Sequence, residues 1–137
     1  LARPWFDPAF ALSGGEDRDF FVRLKRGGAR LAWCDEAAAF GAVPQQRMSL
    51  RWALSRAYGI GNSDMRVFLK YAPGPAARLR ECAKTLAALA LSPLLIAMLA
   101  FHAQRRAAAL NRMARALGKA AALFGRPYDA YSAIHGD

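Results

Sequence analysis

The stretch SGGEDRDFF, residues Ser13–Phe21, combines the clearest helix-start signals of the chain with a pair of carboxylates. Ser13 and Glu16 have the S-x-x-E spacing of a capping box, and the two glycines between them allow a tight turn. The spacing therefore predicts a helix from about Glu16 to Arg26, which the glycine pair 27–28 then ends.

Helical spacing places the two aspartates of this stretch on different faces. Phe20, Phe21 and Leu24 form an apolar stripe with Asp17 near its centre, whereas Asp19 falls toward solvent. Asp17 is expected to point inward from the first turn, where free backbone amides and the helix dipole favour its ionised form. A fixed carboxylate that faces a cleft is a candidate general base, and simple helix capping is the alternative.

The chain has 137 residues, enough for one modest core or part of a larger domain, and carries a formal charge of +10. Residues 66–126 hold eleven basic residues against Glu81 alone. Such an excess suits anionic lipid and nucleic acid equally well. Isolated cysteines and histidines do not support a disulfide framework or a zinc site; these residues are Cys34, Cys82, His102 and His135.

Two short apolar segments follow the first predicted helix. Residues 29–33 and 37–43 are predicted as strands, separated by a turn at Asp35 and Glu36 and stopped by Pro44. A helix and two strands in close succession are typical of the end of an α/β domain. So small a sheet does not stand alone.

Ser49 is placed to cap a second helix that continues to about Tyr58. Trp52 and Arg56 fall on the side of this helix opposite its apolar face. A tryptophan beside arginines is able to hold a sugar, a phosphate or a lipid headgroup, and packing against a neighbouring element is the more common role.

The break at residues 73–75, Pro-Gly-Pro, divides the chain into predicted domains 1–72 and 73–137. Beyond it, residues 85–104 carry no formal charge, and as a helix of about 30 Å they are long enough to cross a hydrocarbon core. Pro93 should kink this helix and makes insertion marginal, which suits a re-entrant hairpin or a helix in the interface. An alanine-rich helix buried against protein is the alternative.

A second hydrophobic and basic helix is predicted over residues 106–124. Its apolar positions recur at spacings of three and four, and they are Leu110, Met113, Leu117, Ala121 and Phe124. A basic amphipathic helix beside an apolar one fits attachment to anionic lipid, although it also serves in a bundle. No aromatic residue stands among the arginines before Phe124, so a nucleic-acid partner is not expected.

An ordered set of motifs resembles the C-terminal part of the catalytic domain of family 2 glycosyltransferases of the bacterial exopolysaccharide and succinoglycan-biosynthesis type. The motifs lie within about residues 5–66; they are Phe6-Asp7-Pro8, Gly14-Gly15-Glu16-Asp17, Phe20-Phe21, Arg23-Leu24, Gly28, Val43-Pro44, Arg47, Arg51-Trp52, Arg56 and Gly61-Asn62. The resemblance implies the C-terminal fragment of an α/β domain of the GT-A type, with short strands and helices. A mainly α-helical, partly membrane-associated tail would follow it.

The resemblance also implies an inverting transfer of sugar from a nucleotide-sugar donor to a glycan or lipid-linked acceptor. The family's E-D pair falls on Glu16 and Asp17, so Asp17 would be the general base and Glu16 its supporting neighbour. Contacts to acceptor or phosphate are expected, as further site residues, at Arg47, Arg51, Trp52 and Arg56.

The donor-binding half and a metal-holding D-x-D are expected upstream of Leu1. The divalent metal of the parent enzyme, Mg²⁺ or Mn²⁺, would then have most of its ligands outside this chain, which alone is expected to be inactive. Asp17 and Asp19 match D-x-D literally, but a helix turns their carboxylates apart. The chain lacks the glutamate that family members often carry before the Val43-Pro44 pair, which leaves a further acidic contribution to the site unsupported. It also lacks the Q-x-x-R-W spacing of processive relatives, which disfavours a processive synthase.

The expected location is the cytoplasmic face of the inner membrane. A non-enzymatic basic module that binds membranes or other partners is the alternative function. The likeness of GGED to the GGDEF motif of nucleotide cyclases is superficial, because that motif lies on a hairpin and residues 13–24 predict the start of a helix.

Overall fold

The computed structural model describes residues 4–72 and 74–129, without the side chain of Gln46. Regular structure in these ranges is helical, and the four α-helices are α1 (Glu16–Arg26), α2 (Leu50–Tyr71), α3 (Pro75–Met98) and α4 (Ala103–Leu123). Short 3-10 turns lie at Pro8–Phe10 and Gln45–Met48. The largest contact joins α2 to α4, while α3 packs on α4 and α1 on α2. Leu1 and Pro73 lie outside the described residues, and the division into domains 1–72 and 73–137 stays a prediction.

The expected α/β fragment of the GT-A type is wrong, since residues 4–72 and 74–129 contain no strand. Residues 29–33 and 37–43, predicted as strands, are irregular and exposed on either side of the expected turn at Asp35 and Glu36. A strand depends on hydrogen bonds to a second strand. Neither segment has such a partner within the part of the chain that the structure describes.

The boundaries predicted for α1 are confirmed at both ends. Gly28 closes the helix in the left-handed region, with φ +84°. The backbone N–H of Ala29 donates to the carbonyl of Leu24 at 3.0 Å, which is the long hydrogen bond of a Schellman motif.

The predicted capping box of α1 is wrong. The N-cap residue is Gly15, with φ +96° and no side-chain cap, and the buried Ser13 hydroxyl accepts a hydrogen bond from Arg66 of α2 instead. A Cβ on Gly15 would lie 2.7 Å from Cβ of Ser63. The glycine turn is therefore in direct contact with α2, and this contact determines how α1 begins.

The cap predicted for α2 is confirmed, because the Ser49 hydroxyl accepts a hydrogen bond from the backbone N–H of Trp52 at 3.2 Å. The helix continues to Tyr71 rather than ending near Tyr58. Glycine weakens an isolated helix. In α2, however, Gly61 faces α4, and tertiary packing outweighs its low helix propensity.

Helices α2 and α4 approach each other at two glycines. A Cβ on Gly61 would lie 2.0 Å from the carbonyl oxygen of Arg115, and one on Gly118 would lie 2.0 Å from that of Tyr58. Asn62 secures the same crossing, since its Nδ2 donates to the Gly118 carbonyl at 3.2 Å. The Gly61-Asn62 motif therefore builds the helix contact.

The uncharged run 85–104 is not one continuous helix, and its break comes after Met98 rather than at Pro93, which lies within α3. Helix α3 ends at Met98, a turn follows, and α4 begins at Ala103. Within the described ranges, α3 is the one helix that is long and apolar enough to cross a membrane. Its length comes from an earlier start, at Pro75.

Helix α4 agrees with the prediction in its bounds but not in its buried face. The buried residues of α4 are all small, namely Ala109, Ala116, Gly118 and Ala122. Leu117 and Phe124 of the predicted stripe are exposed. Small residues fit this contact because the backbones of α2 and α4 come so close together.

Candidate functional site

Asp17, the predicted general base, lies on the exposed side of α1 rather than pointing inward. Its Oδ1 accepts a hydrogen bond from the backbone N–H of Arg18 at 2.7 Å. None of the ion pairs found among residues 4–72 and 74–129 includes it. Helix α1 packs on α2 through its charged face, so the side that carries Asp17 is turned away from α2 and stays accessible.

Asp19 has the opposite environment, since it is 0% exposed although solvent exposure was predicted. Its Oδ1 accepts hydrogen bonds from Lys70 at 2.6 Å and from the Tyr71 hydroxyl at 2.8 Å. Its Oδ2 lies 3.1 Å from Nε of Arg23, one turn further along α1. Asp19 therefore joins α1 to the C-terminal end of α2 and has a structural role.

Lys70 lies between two carboxylates, because its Nζ is also 2.6 Å from Oδ2 of Asp7. Burial opposes its positive charge, but hydrogen bonds to Asp19 and Asp7 outweigh this effect and raise the pKa of Lys70. Hydrogen bonds from Lys70 and from the backbone N–H of Ala9 lower the pKa of Asp7. Lys70 and Asp7 are therefore both ionised around neutral pH.

These shifts predict a stability plateau with two limits. The Asp7 contribution is present above its ordinary pKa of 3.8 and is lost as the pH falls through the lower folded value. The Lys70 contribution is present below its ordinary pKa of 10.5 and is lost as the pH rises through the higher folded value. We expect the melting-temperature difference between wild type and Lys70→Met to be constant between these limits and to shrink beyond both. A constant difference over the whole pH range would contradict this assignment.

Glu16 is half-buried, and its Oε2 is buried without a hydrogen-bond partner among the described residues. A buried polar oxygen without a donor costs free energy. Its side chain is less accessible than that of Asp17, so the two carboxylates differ in environment although they adjoin in sequence. The supporting role expected for Glu16 stays a prediction.

A second buried carboxylate holds three helices together and was missed by the sequence analysis. Asp64 of α2 forms ion pairs with Arg18 of α1 and with Arg115 of α4. Burial and the charge of Arg115 lower the pKa of Arg18. Through its ion pair with Arg18, Asp64 fixes the residue that follows Asp17. The one available signal was an aspartate within a helical run of small residues.

An aromatic face borders Asp17 and consists of Trp5, Phe6, Phe20 and Phe21. Phe20 is its centre, with ring centroids 6.4 Å from Trp5, 5.6 Å from Phe6 and 5.6 Å from Phe21. Trp5, Phe6 and Phe21 are exposed. Residues three and four apart on a helix are neighbours, so Asp17 lies beside Phe20 and Phe21.

The predicted acceptor or phosphate contacts form a separate group near the start of α2. Arg47, Arg51, Trp52 and Arg56 are all exposed, and the Arg47 guanidinium lies 5.9 Å from the centroid of the Trp52 ring. The Asp17 turn packs much further along α2, near Asp64. About 18 Å of helix separates Trp52 from Asp64 at about 1.5 Å per residue. The structure does not bring the two predicted groups together.

The described residues do not fit a divalent cation. Within residues 4–72 and 74–129, no group of three His, Cys, Asp or Glu side chains could hold one. Asp17 is exposed, while Asp19 is occupied by Lys70 and Tyr71, so the literal D-x-D does not form a chelating pair. The Mg²⁺ or Mn²⁺ ligands expected for the parent enzyme stay a prediction.

Comparison with known proteins gives one partial similarity. No family model and no solved structure matches the chain. The chain is similar to the succinoglycan biosynthesis protein ExoM of Rhizobium meliloti (strain 1021), with 35% identity over 69 residues. The aligned stretch covers 50% of this chain and 22% of that protein. This chain therefore spans about a fifth of the length of the relative it matches.

Proposed function

We propose that this chain takes part in exopolysaccharide biosynthesis as a segment of an inverting glycosyltransferase of family 2. The name of its partial relative supports the biosynthetic role, and the ordered motifs between residues 5 and 66 support the family. The donor in this proposal is a nucleotide sugar, and the acceptor is a glycan or a lipid-linked glycan. The proposed location is the cytoplasmic face of the inner membrane.

The accessibility of Asp17 is the observation that carries the proposal. Three other carboxylates in and around the contact of α1 with α2 are held by cations: Asp7 and Asp19 by Lys70, and Asp64 by Arg18 and Arg115. Asp17 and Glu16 belong to none of the ion pairs found among the described residues, and Asp17 is the exposed one of the two. An exposed carboxylate outside any ion pair is able to accept a proton from a ligand.

The proposed reaction begins at a hydroxyl group of the acceptor. Its proton moves to a carboxylate oxygen of Asp17 as its oxygen forms a bond to the anomeric carbon of the donor. The bond from that carbon to the phosphate oxygen breaks at the same time, and the electron pair leaves with the nucleotide diphosphate. Attack opposite the leaving group inverts the anomeric centre.

The aromatic face gives the acceptor a place beside this base. A sugar ring has apolar C–H surfaces that pack on aromatic rings while its hydroxyl groups stay free. A ring resting on Phe21 would hold a hydroxyl near Asp17, one turn away on the same helix. This arrangement supports transfer to a glycan more than transfer to water.

A transfer assay of the full-length protein tests the proposed function. Labelled nucleotide sugars and a glycan acceptor are incubated with the protein, and the anomeric configuration of the product is determined by NMR. We expect a product whose configuration is inverted relative to the donor. A retained configuration, or no transfer from any nucleotide sugar tested, would overturn the proposal.

A further inference from the structure

Helix α3 buries two hydroxyl side chains and exposes most of its large apolar ones, which is unusual for a helix on a water-soluble bundle. Its face toward the bundle includes Thr85 and Ser92, which are 3% and 5% exposed. Its outer face carries large exposed apolar residues, which are Leu86, Leu91, Leu94, Leu95 and Met98. Water favours the opposite arrangement, with leucine buried and hydroxyl groups exposed.

The two buried hydroxyl groups are satisfied within α3 itself. Thr85 donates to the carbonyl of Glu81 at 2.9 Å, and Ser92 donates to the carbonyl of Ala88 at 2.5 Å. Hydroxyl groups that return a hydrogen bond to their own helix need no water. This arrangement suits a helix whose outer surface contacts hydrocarbon.

The bundle also packs in the way that apolar surroundings favour. Helices α2 and α4 meet at Gly61 and Gly118, whose positions leave no room for a Cβ. Small residues at helix contacts and leucines on the outside are typical of helices packed in lipid. The small-residue contact joins α2 to α4, whereas the exposed leucines lie on α3, so the two observations are independent.

Exposed basic residues stand at both ends of the outer face of α3. Arg78, Arg80 and Lys84 precede it, and Arg105 and Arg106 follow it at the start of α4. Basic groups around an apolar surface place that surface at the level where anionic headgroups lie. The charge thus identifies the partner as an anionic bilayer.

We propose that the outer face of α3 lies in the acyl region of one leaflet of an anionic membrane, with the helix parallel to the membrane plane. The uncharged part of α3, from Thr85 to Met98, is roughly 21 Å long at about 1.5 Å per residue, which is shorter than a hydrocarbon core of about 30 Å. A crossing would therefore bring charged residues into the core.

The hairpin of α3 and α4 gives a second reason for the parallel orientation. The chain reverses after Met98, and Lys119 of α4 pairs with Glu81 of α3 at 2.6 Å near the other end. A spanning α3 would place the arginines of α4 in hydrocarbon, which is costly. The membrane contact of α3 is independent of the sugar-transfer proposal, because it uses other residues.

Vesicle binding of the 137-residue chain tests the proposal. We expect sedimentation with vesicles of phosphatidylcholine and phosphatidylglycerol, and a weakening of at least about tenfold in Leu94→Glu. Leu31→Glu is the matched control, because Leu31 is 57% exposed and Leu94 is 59% exposed. It should bind as wild type does. Circular dichroism establishes that both variants keep their helix content.

Three results would overturn the proposal. One is unchanged vesicle binding of Leu94→Glu, and the second is an equal loss in Leu31→Glu. The third has two parts: the wild type forms a dimer in lipid-free solution that Leu94→Glu dissociates, and the wild type does not bind vesicles. The outer face of α3 would then be covered by a second copy of the chain rather than by a membrane.

Orientation is tested with a single cysteine, Gln104→Cys, in a chain with Cys34→Ser and Cys82→Ser. A membrane-impermeant maleimide is added outside vesicles that carry the bound protein. It should label position 104, because that residue stays on the outer side, from which the protein bound. Labelling that occurs only after the vesicles are lysed would show a crossing and contradict the parallel orientation.

Discussion

Replacing Asp17 with asparagine in the full-length protein is expected to lower the turnover of sugar transfer by about 10²–10⁴-fold, the usual contribution of a general base. Asparagine keeps the size of the side chain but does not accept the proton. The donor site of the proposal lies elsewhere, so the affinity for the nucleotide sugar should be unchanged. Turnover and donor affinity are measured by steady-state kinetics and calorimetric titration.

Asp17→Asn should leave the fold intact, because its carboxylate is exposed and in no described ion pair. Exposed substitutions usually change stability by less than about 0.5 kcal/mol. Asp35→Asn removes the same charge from an exposed turn and should keep full activity. Substantial turnover in Asp17→Asn, or an equal loss in Asp35→Asn, would exclude Asp17 as the base.

Asp19→Asn separates a catalytic effect from a structural one. Asp19 is fully buried and is one of the two carboxylates that hold Lys70, so Asp19→Asn removes a buried charge from this ion pair. We expect a lower melting temperature for Asp19→Asn and an unchanged one for Asp17→Asn. Because the two aspartates are only two positions apart in the sequence, the expected difference in melting temperature comes from the different faces of α1 on which they lie.

Local signals in the sequence were sufficient for both ends of α1 and for the start of α2. Gly28 ended α1 where a left-handed glycine was predicted, and Ser49 capped α2 through the predicted hydroxyl. Such signals act over a few residues and do not require the rest of the fold. The extension of α2 to Tyr71 needed the distant α4, and local signals could not reveal it.

The orientation of α1 could not be predicted from its own periodicity. An apolar stripe usually faces the core. Here the partners Lys70, Tyr71 and Asp64 lie about fifty residues away and attract the charged face of the helix. Their charges become decisive only when α1 and α2 pack together. The stripe with Asp17 is consequently left outside, where the aromatic rings collect around Phe20.

The sequence selected Asp17 as the candidate base but did not predict its environment, and its catalytic role stays a prediction. Asp17 was selected because of its motif and was expected inside a cleft, whereas the structure leaves it accessible on an aromatic face. Arg47 and Trp52, both expected to contact acceptor or phosphate, lie beside each other but far from Asp17. The point on α2 at which the Asp17 turn packs depends on tertiary contacts, and the order of the motifs does not predict it.

Gly118→Ala is expected to destabilise the chain by roughly 2–3 kcal/mol through overpacking at a backbone contact. On an open helix surface the same change would stabilise by about 1 kcal/mol, since alanine is the better helix former. Here the new Cβ would lie 2.0 Å from the carbonyl oxygen of Tyr58, so α2 and α4 must separate. Urea unfolding followed by circular dichroism measures the change.

Gly59→Ala provides a control at another buried glycine of α2. Its Cβ would lie 3.1 Å from the ring of Tyr128, a side chain that is able to rotate away, so the loss should be much smaller. In Gly61→Ala, the new Cβ would clash with the carbonyl of Arg115 at the same helix crossing as in Gly118→Ala. Once one substitution has forced α2 and α4 apart, the second meets more room, and the double variant should lose less than the sum of the two. Equal effects at Gly59 and Gly118, or strict additivity of Gly61 and Gly118, would mean that the two backbones do not meet there.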